Sequence, residues 1–104
     1  MPRWVRVADV SQCPPGGAIE CTIEERVVAL FNVGGAFYAL DGICPHQGGP
    51  LGQGCLTEAI VTCPWHGWQF DVRTGQHQLS KAIRQPTFAT RVEGDAVWID
   101  LEGS

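Results

Sequence analysis

No stretch of the chain approaches the ~18 consecutive apolar residues that a membrane-spanning helix needs. The first residues, Met1-Pro2-Arg3-Trp4-Val5-Arg6-Val7, hold neither the apolar core nor the small-residue cleavage site of a secretory signal. Arg3 and Arg6 are separated, so a twin-arginine signal is missing as well. Basic side chains are scarce: Lys and Arg number 7 against 11 Asp and Glu, a formal charge of −4. That balance excludes the basic face that a nucleic-acid role requires. It suits solubility, or docking to a basic patch on a protein partner. No segment keeps an apolar repeat of 3.6 residues over three turns, which excludes a helical bundle. Internal repeats, low-complexity tracts and linkers are all lacking. An odd count of five cysteines cannot fill a complete disulfide framework. The expected compartment is therefore the cytoplasm, with no membrane association. Thiols stay reduced there and serve more readily as ligands than as bridges.

What remains is a chain of 104 residues, 44% hydrophobic, sized for a single domain spanning 1–104. Its 13 glycines and 7 prolines predict many turns and short elements. Alternation predicts strands over 4–9, 18–23, 25–33 and 36–40, with Gly34-Gly35 as a hairpin turn. Residues 88–92 and 96–101 flank a further turn at Glu93-Gly94-Asp95. The short runs Ala59-Ile60-Val61 and Gln69-Phe70-Asp71 surround a loop between them. The expected fold class is all-β, an antiparallel sandwich or barrel. Residues 42–56 hold five glycines and two prolines, too many breakers for a regular element. A loop this long inside a compact domain is usually functional. A second loop occupies about 62–71.

Each loop opens with Cys-Pro and supplies one cysteine and one histidine. The first reads Cys44-Pro45-His46, a C-x-H; the second reads Cys63-Pro64-Trp65-His66, a C-x-x-H, with sixteen residues between His46 and Cys63. Two soft thiolates and two imidazoles form a strong metal-ligand set. Tetrahedral zinc could use such a set, but structural zinc usually draws on C-x₂₋₄-C or H-x₃₋₅-H pairs, which C-x-H does not match. The surrounding glycines let backbone pass close to an inorganic group and leave N–H groups to face it.

This arrangement resembles the Rieske family. The resemblance covers about residues 36–101, including the run CPWHGWQFDVRTG after Thr62 and the closing segment QPTFATRVEGDAVWIDL. It implies a Rieske-like β fold with a small subdomain of two loops, and one [2Fe–2S] cluster. Cys44 and Cys63 would hold the inner iron, and His46 and His66 the outer, more exposed one. Gly48, Gly49, Trp65, Gly67, Trp68 and Phe70 would surround the cluster. A docking face would comprise His46, His66, Pro50, Leu51 and Trp65, with Pro50 and Leu51 exposed at the tip of the first loop. For Trp65, packing and partner contact weigh evenly. High-potential members carry two more cysteines that tie the loops together, and here those positions are Gly49 and Trp65. They also place a Ser and a Tyr after the second histidine, where this chain has Trp68 and Phe70. Without those hydroxyl donors the potential should be low within the Rieske range of roughly −150 to +300 mV.

The resemblance further implies a one-electron carrier, not an enzyme, similar to the ferredoxins that serve Rieske oxygenases. It would be a monomer that meets a reductase and a terminal oxygenase transiently. The alternative is a small, permanently bound subunit of a larger oxidoreductase, resembling that of nitrite reductase. A catalytic oxygenase would need a 2-His-1-carboxylate iron site, and His77 is the only histidine beyond the ligand pair. His77 itself is expected at the surface. Cys13 and Cys21 read as packing residues or unbridged thiols, and Cys55 as a small buried or half-buried side chain. Trp4, Phe31 and Trp98 fall in strand patterns and are expected in the core.

Overall fold

The computed structural model describes residues 3–43, 49–65 and 67–102. Among the described residues ten strands follow in chain order: β1 Trp4–Asp9, β2 Ala18–Ile23, β3 Arg26–Val33, β4 Ala36–Asp41, β5 Cys55–Thr57, β6 Ile60–Thr62, β7 Gln69–Asp71, β8 Thr87–Phe88, β9 Thr90–Glu93 and β10 Ala96–Asp100. They build three antiparallel sheets, ordered β1-β10-β9, β2-β3-β4-β8 and β5-β6-β7.

β3 is the spine. Successive side chains on a strand point to opposite faces, and in β3 both faces are covered. Val28 and Leu30 join Phe37, Ala39, Phe88, Val97 and Ile99 in one core, against the β1-β10-β9 sheet. Ala29 and Phe31 join Leu40, Leu51, Val61, Phe70 and Val72 in a second core, against the β5-β6-β7 sheet. The nearly unbroken apolar run Val27–Phe31 is the sequence of a strand buried on both sides. The small third sheet is thereby pinned to the body of the fold, and its β6–β7 hairpin carries the second loop at its end.

Beyond one-residue shifts at β4, β6 and β10, three differences from expectation stand out. β3 begins at Arg26, one residue late, because Glu24 and Glu25 form the two-residue turn from β2 with φ of +51° and +70°. The expected strand over 88–92 breaks at Ala89: β8 pairs with β4, whereas β9 pairs with β10, so the chain changes sheets there. The segment 42–56 is not wholly irregular. Leu51–Gln53 forms a 3-10 turn and β5 starts at Cys55. Leu51 drives this, since its side chain is 0% exposed in the second core.

Of the expected core aromatics, Phe31 is fully buried, whereas Trp4 and Trp98 are half-buried. Cys13 is buried, Cys21 is half-buried, and neither is bridged. Cys55 is exposed, contrary to expectation, because β5 is an outer strand of the small sheet and turns that side chain outward.

Candidate metal centre

Both loops are held shut at their necks by backbone. The first leaves β4 at Asp41. The Gly42 N–H donates to the Val27 carbonyl at 2.8 Å, and the Leu51 N–H returns to the Gly42 carbonyl at 2.9 Å. Ile43 and Pro50 face each other in an antiparallel bridge. The second loop closes where the Cys63 N–H donates to the Trp68 carbonyl at 2.7 Å, directly above the Thr62–Gln69 pair of the β6–β7 hairpin. Gly67, with φ of +71°, takes a left-handed conformation that makes this turn possible.

The loops meet at Gly49. A β-carbon there would lie 2.6 Å from the Cys63 sulfur and 3.0 Å from the Trp65 β-carbon. Only glycine permits that approach. Cys63 is 1% exposed, so its sulfur faces the interior between the two loops and bare backbone. A buried thiolate needs a metal or several donors to offset its desolvation. Backbone without side chains beside it is what a compact sulfide-bridged group requires. The described part of the donor set therefore fits such a cluster. Cys44, His46, Gly48 and His66 lie outside the described residues.

The expected docking residues divide. Trp65 is 50% exposed, and Pro50 is half-buried. Leu51 is not at an exposed tip: it is the apolar anchor that plugs the base of the first loop into the second core. Ile43, at the neck, is an exposed large apolar side chain that sequence reasoning passed over. Phe70 is fully buried beneath the second loop, and Trp68 is half-buried beside it, with ring centroids 6.4 Å apart.

Two further residues were missed. His77, expected at the surface, is 7% exposed and stands edge-on to Trp68 and Phe70 at 4.7 and 5.2 Å between centroids. Its backbone pairing with Phe70 turns the side chain inward. Buried Gln85 donates through Nε2 to the carbonyls of Asp41 and Ile43, both at 2.6 Å, so it secures the residues that lead into the first loop. Its own N–H donates to the Gly75 carbonyl at 2.7 Å. A lone glutamine in a polar stretch carries no sequence signal for such a role. At the foot of β7, the Arg73 guanidinium bonded to Asp71 holds that carboxyl below the usual aspartate range. Among the described residues, no helix is long and apolar enough to cross a membrane.

Comparison with known proteins places this geometry. A family model described as the Rieske [2Fe–2S] domain matches residues 3–92. The ferredoxin component of the naphthalene 1,2-dioxygenase system of Pseudomonas aeruginosa is 31% identical, covering 95% of this chain and 96% of that protein. The ferredoxin subunit of the 3-phenylpropionate/cinnamic acid dioxygenase of Shigella boydii is 40% identical over 91% of this chain and 88% of its own. Among solved structures, a chain from the complex of reduced oxygenase and oxidised ferredoxin of carbazole 1,9a-dioxygenase superposes with a TM-score of 0.83. It is 28% identical and covers 93% of this chain and 92% of that chain.

Proposed function

The chain belongs to the Rieske [2Fe–2S] domain family, and we propose that it carries single electrons from a reductase to the terminal oxygenase of a ring-hydroxylating dioxygenase system. The observation that carries this reading is the near full-length likeness to ferredoxin components of such systems, in a chain whose two loops converge on a buried cysteine sulfur. Those relatives are named as the ferredoxin component or subunit of dioxygenase systems, which favours a dioxygenase carrier over a subunit resembling that of nitrite reductase.

Cys44 and Cys63 would hold one iron, and His46 and His66 the other. When bound, the cluster supplies the redox step by taking up and releasing one electron. The residues of the chain do the rest. Leu51 and Gln85 fix the first loop, the Cys63–Trp68 backbone bond fixes the second, and Gly49 lets them close on each other. Phe70 and Trp68 supply no hydroxyl donor to the cluster sulfurs, which keeps the potential low for the class. A formally neutral oxidised centre leaves the chain at −4, and reduction makes it one unit more negative. Exposed Trp65 and Ile43 flank the loops and suit a small, transient contact. The carrier is a single domain over 1–104, a monomer, and works in the cytoplasm.

The test is reconstitution. The reductase and oxygenase of a naphthalene dioxygenase system are assayed with their own ferredoxin left out. Saturable recovery of product on adding this protein is the expected result. No recovery with either enzyme's electron transfer, while the cluster is intact by spectroscopy, would count against the carrier role.

A further inference from the structure

His77 is a polar ring in an apolar place. Its Nδ1 accepts the backbone N–H groups of Leu79 at 3.0 Å and Ser80 at 3.2 Å. An imidazole nitrogen that accepts hydrogen bonds carries no proton, so the proton of the neutral ring sits on Nε2. Nε2 is fully buried and has no nitrogen or oxygen partner among the described residues. What lies around that ring is aromatic: Trp68 and Phe70, each at an interplanar angle of 87°. Neither ring offers a nitrogen or oxygen acceptor, and a buried donor left with nothing better calls for an explanation. An aliphatic residue would fill the space at lower cost.

The contacts of Trp68 supply that explanation. Its carbonyl receives the Cys63 N–H and closes the second loop, and it stands two residues after His66. Its indole leans on His77. The other edge of His77 is fastened to its own loop by two hydrogen bonds, so the imidazole cannot swing away. Gln76 stiffens the same loop from inside, its Nε2 donating to the Ser80 carbonyl at 2.9 Å.

We propose that His77 is a positioning residue for electron transfer: clamped through Nδ1 to the 79–80 backbone, it holds the Trp68 indole in place and keeps water from the second ligand loop. The inference rests on the assignment of Cys63 and His66 as ligands. Water near the cluster favours its more negative, reduced form, so loss of the clamp raises the midpoint potential.

Two substitutions separate the halves of the clamp. In His77→Asn the side-chain oxygen still accepts N–H groups two and three residues on, as in an Asx-turn, but the aromatic contact is gone. In His77→Phe the ring remains and the acceptor is lost. Voltammetry of the cluster-loaded proteins should show an upward shift for His77→Asn, of the same sign as for Trp68→Leu, and a smaller upward shift for His77→Phe, whose ring still meets the indole but is no longer clamped. Amide exchange at Leu79 and Ser80 should instead quicken roughly tenfold in His77→Phe, equivalent to one lost hydrogen bond. Because the effect runs through Trp68, His77→Asn should add nothing to the potential in a Trp68→Leu background. If His77→Asn fails to assemble a cluster while His77→Phe succeeds, the clamp is again supported. Equal failure of both, an unshifted potential in His77→Asn, or additive shifts in the double variant would overturn it. A wild-type protein without an iron–sulfur signal would overturn the ligand assignment itself.

Discussion

Gly49 tolerates no side chain, and that makes it a test of how the loops close. Adding one methyl group would drive it into the Cys63 sulfur. Overpacking a rigid site costs about 1–3 kcal/mol, and here the strain falls on a ligand. Gly49→Ala should therefore lose most of its iron and acid-labile sulfide, measured per mole of protein, while the far-ultraviolet signature of the sheets persists. Cys13 gives a prediction of a different kind. Burial pushes its thiol up to about 11, with the nearby Cys21 thiol adding to the rise. In the unfolded chain the thiol ionises near its ordinary pKa of ~8.5. Between those values the unfolded state binds fewer protons than the folded one, so stability falls as pH rises. Below the lower value the contribution is fully present. Melting curves from pH 8 to 11 should show a loss of at most about 2 to 3 kcal/mol, and Cys13→Ala should flatten that slope.

Single residues were unevenly legible in the sequence. The proposed ligand set stands out in the sequence because chemistry restricts which residue types can bind iron and because the spacing is distinctive; of the four, only Cys63 lies among the described residues. Leu51 and His77 were not legible, since each lies in a segment whose composition reads as loop. What decides their burial is packing against Phe31 and Phe70, residues distant in the chain or on another strand.

Among elements, the β2–β3 turn is under strain. Glu25 holds φ of +70°, a conformation that costs a residue with a β-carbon roughly 1–2 kcal/mol. Its neighbour Glu24 is bonded to Arg3 and should be left in place. Glu25→Gly relieves the strain, offset in part by the greater flexibility of glycine when unfolded, and should raise Tm by roughly 4–8 °C. An unchanged or lower Tm would show that the turn is not strained in solution. The first loop depends on Gln85. Gln85→Glu is nearly the same shape but replaces the donor with an acceptor, leaving the carbonyls of Asp41 and Ile43 facing a carboxylate. It should destabilise the fold by about 2–4 kcal/mol and shorten the half-life of the cluster in air, followed by visible absorption. Strands β1 to β4 were legible because alternation and glycine turns mark them. The break at Ala89 was not, because a change of sheet leaves the alternation intact and is decided by which strand offers a free edge.

At the scale of the whole molecule, two sheets pack on opposite faces of the sheet that holds the doubly buried strand β3, and Leu51 and Phe70 tie the two loops into the second core. All-β architecture was readable from the spacing of short strands and the lack of helical periodicity. The layering was not, since it depends on which face of β3 meets which sheet. The proposed function turns on two thiolates and two imidazoles binding one pair of sulfide-bridged irons. The most direct test is electron paramagnetic resonance of the dithionite-reduced protein, purified without oxygen and labelled with nitrogen-15 at histidine. The prediction is a rhombic signal of average g well below that of an all-cysteine cluster, with couplings from two imidazole nitrogens, and loss of that signal in His66→Ala. A signal with no histidine coupling, or intact protein with neither iron nor labile sulfide, would contradict it.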